Sequence, residues 1–181
     1  MTLRVSKFLL VTGVAIFYTL VVVNNTTDYG SNYQFVRHVM MMDSTFPANH
    51  GMWRAVNNPG IHTAFYLSII VWEIVTTLLC WWGAVRLARA LRGNAAEFHQ
   101  AKGTAIAALT LGLMMWLVAF LGVGGEWFLM WQSKTWNGQD AAFRMFTVLG
   151  IILLFLALPE AETQPRNSRH CLKPPVHRIF T

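Results

Sequence analysis

Four long runs of apolar residues constrain this chain more than any other feature of its sequence. The runs cover residues 8–27, 63–85, 103–125 and 141–159. Glu73 and Arg144 are the only charged side chains within them. Because a helix needs about 20 apolar residues to cross the hydrocarbon core of a bilayer, each run predicts a transmembrane helix. We therefore predict an all-α, polytopic membrane protein with four transmembrane helices.

The composition agrees with this fold class and excludes others. Of the 181 residues, 55% are hydrophobic and only 12% are charged, whereas soluble domains contain about 25% charged residues. The low charge and high aromatic content exclude a disordered chain. Only two cysteines are present, which excludes a disulfide-stabilised scaffold.

The chain divides into one membrane domain and a short tail. We predict that residues 1–160 form the four-helix domain and that residues 161–181, which are polar and basic, form a cytoplasmic tail. A basic start followed by an apolar run also describes a cleavable signal peptide. The long first run, without a small-x-small cleavage pattern, favours a retained helix.

The distribution of Lys and Arg predicts the orientation. If both termini are cytoplasmic, the inner segments hold ten of the 14 Lys and Arg residues and the outer segments hold four. Cytoplasmic segments of membrane proteins carry such an excess. Both termini are therefore predicted to be cytoplasmic. The basic residues are explained by topology, so we expect no nucleic-acid partner.

The outer loop, residues 24–61, is much longer than a connection between two helices requires. Within it, residues 33–42 predict an amphipathic helix that lies along the membrane surface. Pro47 cannot continue that helix. The residues of this loop that we predict to contact other molecules are Phe35, His38, Asp43 and Phe46.

Glu73 is the most unusual residue of the transmembrane helices. It is close to the middle of the second run, where a charged group costs about 2.5–3.5 kcal/mol on insertion scales. Helical spacing places other polar residues on its side of the helix. The predicted intramembrane polar site consists of Glu73, Tyr66, Thr76, Thr77 and His62, and Cys80 continues the same stripe.

Two interpretations of this stripe remain open. In the first, it is a path for protons or ions, or a polar pocket for a small ligand. In the second, Glu73 is hydrogen-bonded to Thr12, Thr19 or Tyr18 of the first helix and holds the two helices together. Interhelical hydrogen bonds in membranes contribute only about 0.6–2 kcal/mol.

Small residues on the third run predict close helix packing. Thr104, Ala108 and Gly112 follow a small-xxx-small pattern, which allows helix backbones to approach each other. The glycines in residues 122–125 are expected to loosen the outer end of the same helix.

No motif in the sequence indicates catalysis. A membrane haem needs two histidines on different helices, and only His38 and His62 could approach each other, near the outer surface. There is no metal-binding spacing, phosphate-binding loop or nucleophile elbow. We therefore predict no catalytic residue, no metal and no cofactor.

Several short motifs resemble a known family. The outer loop carries Asn32-Tyr33, Phe35-Val36, His38-Val39, Met42-Asp43 and Thr45-Phe46. They are accompanied by Trp72-Glu73, Gly138-Gln139, Phe143-Arg144 and residues 156–159. Over about residues 1–160 the chain resembles a bacterial family of predicted small integral membrane proteins with a domain of unknown function. The resemblance implies a four-helix protein of a Gram-negative inner membrane and implies no activity.

Three functional hypotheses follow. The first is a non-catalytic accessory or assembly subunit of a larger membrane complex, with the bilayer and another membrane protein, or a second copy of the chain, as partners. The second is a small transporter or channel in which Glu73 binds a proton or ion. The third is a redox protein with haem or quinone near His38, His62 and Tyr66.

Overall fold

The computed structural model describes residues 1–160, and every regular element within that range is helical. The long elements are α1 (Thr2–Thr27), α2 (Tyr29–Met41), α3 (Pro59–Ala90), α4 (Ala95–Met114), a π-helix (Met115–Trp127) and α5 (Gln139–Ala157). Two short 3-10 helices, Met52–Arg54 and Met130–Gln132, lie in the connections. The all-α prediction is confirmed. The predicted tail, residues 161–181, lies outside the described residues.

Within residues 1–160, four helices are long and apolar enough to cross a membrane: α1, α3, α4 together with the π-helix, and α5. This confirms the predicted number of transmembrane helices. The 32 residues of α3 span about 48 Å at 1.5 Å per residue. Since a bilayer core is about 30 Å thick, α3 must tilt or extend beyond it.

Local sequence explains where the helices begin. The Asn58 side chain accepts a hydrogen bond from Gly60 N at 2.8 Å, and Pro59 occupies the first turn of α3. Asparagine is a preferred N-cap, and proline fits the first helical position because it lacks an N–H. At the start of α4, Asn94 and Glu97 each accept the other's backbone N–H, which forms a capping box.

The bundle is built around α3, which packs against both α1 and α4, while α5 packs against α4 and the π-helix. Small residues allow α3 and α4 to approach closely, since Gly83 of α3 lies against Ala105 of α4. Of the predicted ridge, Ala108 and Gly112 are buried, as is the neighbouring Ala105. Thr104 is half-buried and accepts a hydrogen bond from Arg86 at 2.6 Å.

One end of the bundle is covered by a structure that we call the cap, defined as residues 28–58 and 128–138. Its main element, α2, follows α1 after the single residue Asp28 and buries Val36, Val39 and Met40. The amphipathic helix predicted for the first long loop is thus present. We call this the capped end and the opposite end, with Lys7 and Lys102, the basic end.

The third transmembrane segment changes its hydrogen bonding part of the way along. From Met115 to Trp127 it is a π-helix, and the pattern ends with Phe128 N donating to Val123 O at 3.0 Å. Bonds over five residues widen a helix and are rare over more than one turn. Gly124 and Gly125 are buried in this segment, where the sequence predicted a loosened helix end.

Candidate functional site

Glu73 is enclosed between α1 and α3. Its side chain is 2% exposed. The side-chain amide of Asn25, near the end of α1, donates to both carboxylate oxygens at 2.9 and 2.7 Å. A buried polar group without a hydrogen-bond partner is costly, so this contact offsets the burial of the carboxylate. Within residues 1–160, no salt bridge includes Glu73.

The partner of Glu73 differs from the three that the sequence suggested. The hydroxyls of Thr12 and Thr19 donate to carbonyls one turn earlier in α1, and Tyr18 accepts a hydrogen bond from the Trp116 indole at 3.1 Å. Asn25 was missed because it is close to the end of the apolar run. Which residue of α1 lies opposite Glu73 depends on how the two helices cross.

The predicted polar stripe is buried on one side of α3. His62, Tyr66, Thr76 and Cys80 are at most 2% exposed, and Thr77 is half-buried. The Tyr66 hydroxyl donates to the Asn25 carbonyl at 2.9 Å. This contact brings Tyr66, Asn25 and Glu73 together as one cluster.

The two threonines of the stripe do not extend that cluster. Thr76 donates to the Trp72 carbonyl and Thr77 to the Glu73 carbonyl, each one turn earlier in α3. Such bonds are common for helical threonines and satisfy the hydroxyl locally. The stripe therefore contacts α1 through Glu73 and Tyr66, both at Asn25, whereas Thr76 and Thr77 bond within their own helix.

His62 has a structural contact of its own. Its Nε2–H donates to the Val56 carbonyl at 2.7 Å and ties the start of α3 to the cap. The Nδ1 atom is buried and has no hydrogen-bond partner in residues 1–160. A haem iron could bind His62 through Nε2 only after this contact breaks, and the other ring nitrogen, Nδ1, is buried. The arrangement gives the haem version of the redox hypothesis no support.

The predicted outer-loop residues lie within the cap. His38 Nδ1 and Asp43 Oδ2 are 2.6 Å apart, and the His38 ring stacks on Trp136 with a centroid separation of 4.6 Å. Phe35 packs against Phe120 and Trp136. The contacts with Trp136 join α2 to the connection between the π-helix and α5.

Phe46 is exposed but held in place. Its backbone N–H donates to Gln132 Oε1 at 3.1 Å, and its ring meets the Trp131 ring edge to face at 5.8 Å. The adjacent Ser44 hydroxyl donates to Ser133 Oγ at 2.8 Å. Phe46 and Trp131 are 53% and 45% exposed. We call these two residues, with His38 and Asp43, the cap patch.

A cluster of charged residues closes the basic end. Glu160 lies 2.6 Å from Lys7 Nζ and 2.9 Å from Lys102 Nζ, and Arg4 is 3.6 Å away. Both lysines also donate to the Leu158 carbonyl, one residue past the end of α5. Cations are favourable at a helix C-terminus, where the backbone carbonyls lack partners.

Charge outweighs burial at Glu160. Burial acts to raise the pKa of this carboxyl group, but the hydrogen bonds and charges of Lys7 and Lys102 are stronger, and the net effect lowers its pKa below the usual value of 4.5. In the sequence, Lys7 and Lys102 served only as evidence for the orientation of the helices. They are only 2% and 1% exposed. The sequence does not indicate this burial, because lysines near the ends of membrane spans usually reach into water.

Residues 1–160 contain no group of three His, Cys, Asp or Glu side chains placed to hold a metal ion. Several of the described polar side chains instead form hydrogen bonds and ion pairs between different helices.

Comparison with known proteins agrees with this membrane architecture. No curated protein and no solved structure matches the chain. A family model described as "Predicted small integral membrane protein (DUF2165)" matches residues 3–159, and the chain therefore belongs to this family of integral membrane proteins of unknown function.

Proposed function

We propose that this protein is a non-catalytic accessory subunit of a larger complex in the bacterial inner membrane and that the cap patch binds the partner. The observation that carries the proposal is the exposed Phe46–Trp131 pair. Aromatic residues are enriched among those that dominate binding energy at protein interfaces. Two such side chains, exposed and in contact with each other, are suited to a pocket on another protein.

The cap patch is also organised in advance of binding. The Phe46 backbone is bound to Gln132 and the neighbouring Ser44 to Ser133. Immobilising a flexible side chain on binding costs about 0.5–1.5 kcal/mol. The contact between the Phe46 and Trp131 rings meets part of that cost in the folded cap. The paired His38 and Asp43, about one third exposed, supply the polar rim that surrounds the apolar centre of most interfaces.

The partner that fits this surface is the outer-side loop of another integral membrane protein. The positive residues at the basic end favour a cytoplasmic location for that end and a periplasmic location for the cap. A partner that reaches the cap must then lie in the periplasm or cross the same membrane. Four transmembrane helices in this chain favour a partner that shares the bilayer.

Native mass spectrometry in mild detergent tests the proposal. The chain, tagged at its C-terminus and expressed from its own promoter, is expected to purify with one membrane protein in fixed stoichiometry. That partner, identified and purified separately, should bind the isolated chain again. Replacing Phe46 and Trp131 together with Ala should weaken this binding at least tenfold. As a matched control, Trp82→Ala, at a side chain that is 65% exposed within α3, should leave it unchanged.

Two results would overturn the proposal. One is a particle of monomer mass that shows no partner when the protein is extracted from its native membrane. The other is a recurrent complex that binds the Phe46 and Trp131 double variant as tightly as the original chain. A homodimer that the double variant disrupts would assign the cap patch to self-association instead of an accessory role.

A second candidate function is proton- or ion-linked transport through Glu73. The observation that favours it is the pairing of this carboxylate with an amide, and with no cation, among residues 1–160. Purified protein in liposomes would then support a flux that Glu73→Gln abolishes. The enclosure of Glu73 between α1 and α3 gives more support to helix association. A flux equal to that of empty liposomes would remove the transport candidate.

A further inference from the structure

The outer surface of the π-helix contains an open groove of about 590 Å³. Its lining residues are Leu117, Val118, Gly122, Val123, Glu126 and Trp127. In an α-helix, residues five apart point about 140° away from each other. In the π-helix, where hydrogen bonds connect residues five apart, Leu117, Gly122 and Trp127 follow one another along the same side. The groove is therefore a product of the π-helical segment.

Glycine keeps the groove open. Gly122 presents no side chain in the middle of the lining, between Leu117 and Trp127. The lining is apolar apart from Glu126, which is exposed at the capped end. An open apolar groove along a helix that is long and apolar enough to cross a membrane, with one charge at its end, can accommodate an acyl chain and the headgroup attached to it.

A positive charge lies beside the end of the groove. The Arg54 guanidinium is 5.6 Å from the centre of the Trp127 ring and 5.7 Å from that of Trp53. Its Nη1 donates to the Glu126 backbone carbonyl at 3.2 Å, and its Nε donates to Gly51 O at 3.4 Å. Arginine carries five N–H donors, so this guanidinium has further donors for a phosphate.

Arg54 and Glu126 are neighbours, but their side chains do not form a salt bridge with each other. Arg54 contacts the backbone of Glu126, and no salt bridge in residues 1–160 includes either side chain. A ligand with a negative phosphate and a positive amine would complement both. Trp53 and Trp127, 75% and 48% exposed, are the residue type that is enriched at the headgroup level of a bilayer.

We propose that this groove binds one phosphatidylethanolamine molecule. Its phosphate pairs with Arg54, its ammonium group donates hydrogen bonds to the Glu126 carboxylate, and one acyl chain occupies the groove along Leu117, Gly122 and Val123. Phosphatidylcholine has no N–H to donate to Glu126, and phosphatidylglycerol has no positive charge. The site is therefore expected to prefer phosphatidylethanolamine over both. The proposal uses no residue of the cap patch and is independent of the proposed partner.

A photoactivatable phosphatidylethanolamine with a diazirine in its acyl chain tests the assignment in phosphatidylcholine nanodiscs. The adduct is expected on the peptide that contains residues 117–127, and unlabelled phosphatidylethanolamine should compete for it. Glu126→Gln should reduce the adduct yield at least threefold, and Arg54→Gln should do the same. Asp140→Asn is the matched control, because it removes an exposed carboxylate from the first turn of α5 and should have no effect.

Headgroup competition separates this lipid from others. On the original protein, phosphatidylglycerol should reduce the adduct yield less than phosphatidylethanolamine does. In the Glu126→Gln variant, the two lipids should differ less in how far they reduce the yield. Glu126 is exposed, so this variant is expected to keep its thermal midpoint in detergent, which excludes misfolding as the cause. Equal competition by phosphatidylglycerol and phosphatidylethanolamine, adducts that map elsewhere, or a yield that Glu126→Gln leaves unchanged would overturn the proposal.

Discussion

Gly83 of α3 lies directly against the backbone of Ala105 in α4. A Cβ atom on Gly83 would come within 2.8 Å of Ala105 Cα and 2.9 Å of Ala105 N. Real Cβ atoms do not approach backbone atoms this closely, so the two helices can adopt their separation only with glycine at this position. Dispersion contacts between closely packed backbones are a main source of helix association in membranes.

Gly83→Ala is therefore expected to destabilise the bundle. The added methyl group must push α3 and α4 apart, and overpacking of this kind costs about 1–3 kcal/mol. A thermal unfolding curve in detergent, followed by tryptophan fluorescence, should show a midpoint several degrees lower. Gly103→Ala is the matched control, because a Cβ at Gly103 would meet nothing within 4 Å. Equal midpoints for the two variants would contradict the observed packing.

Asn25→Ala tests the contact between α1 and α3. The substitution removes the amide that donates to Glu73, and leaving a buried acceptor unsatisfied costs about 1–3 kcal/mol. The free energy of unfolding should fall by this amount, while Thr26→Ala, at an exposed neighbour whose hydroxyl bonds within α1, should change it little.

A double-mutant cycle with Glu73→Ala isolates the pair. Hydrogen bonds between transmembrane helices have coupling energies of about 0.6 kcal/mol on average, with a maximum near 1.7 kcal/mol. The losses caused by Asn25→Ala and Glu73→Ala should therefore fall short of additivity by an amount in this range. Strict additivity would show that the two side chains do not interact.

Glu160→Gln tests the cluster at the basic end. Removing one partner of a buried ion pair costs about 3–5 kcal/mol, because the remaining charge is left buried and unpaired. Here Lys7 and Lys102 would both lose their carboxylate. The thermal midpoint should fall markedly at neutral pH, whereas Asp140→Asn, at an exposed carboxylate, should leave it within experimental error.

The same variant should change the dependence of stability on pH. Because the folded-state pKa of Glu160 lies below its usual value of 4.5, the carboxylate stabilises the fold fully above that pH. This contribution decreases as the pH falls through the lower, folded-state pKa. The difference in midpoint between the original protein and Glu160→Gln should therefore shrink in acid. A difference that is constant from neutral pH into acid would contradict the ion pairing.

The proposed orientation can be measured by cysteine labelling. Trp53 in the cap is 75% exposed, and His99 near the basic end is also exposed. In a Cys171→Ser background, where the remaining Cys80 is 0% exposed, a membrane-impermeant maleimide should label Trp53→Cys in intact spheroplasts. It should label His99→Cys only after the membrane is permeabilised. The reverse pattern would place the cap in the cytoplasm.

The number of transmembrane helices could be predicted because the bilayer imposes one requirement on all of them, a long apolar segment. The amphipathic helix α2 could also be predicted, because apolar side chains recur with helical spacing in residues 33–42. The polar side of α3 could be predicted because the spacing of its residues within one helix fixes which of them share a side. All of its members belong to one helix, and their relative directions follow from 100° of rotation per residue.

Contacts between helices could not be predicted in this way. The pairing of Asn25 with Glu73 depends on how α1 crosses α3, and the use of Gly83 depends on which side of α4 faces it. The burial of Lys7 and Lys102 requires Glu160, more than 50 residues from either lysine in the sequence. Hydropathy describes each segment separately, so it gives no information about such partners.

The π-helix makes the length of residues 115–127 critical. If the hydrogen bonds over five residues were kept, deleting one residue there would rotate everything that follows around the helix axis. Glu126 would turn away from Arg54, and residues 128–138 would no longer meet α2. A substitution in this segment changes one side chain, whereas a one-residue deletion would change how residues 128–138 of the cap are attached to the membrane domain.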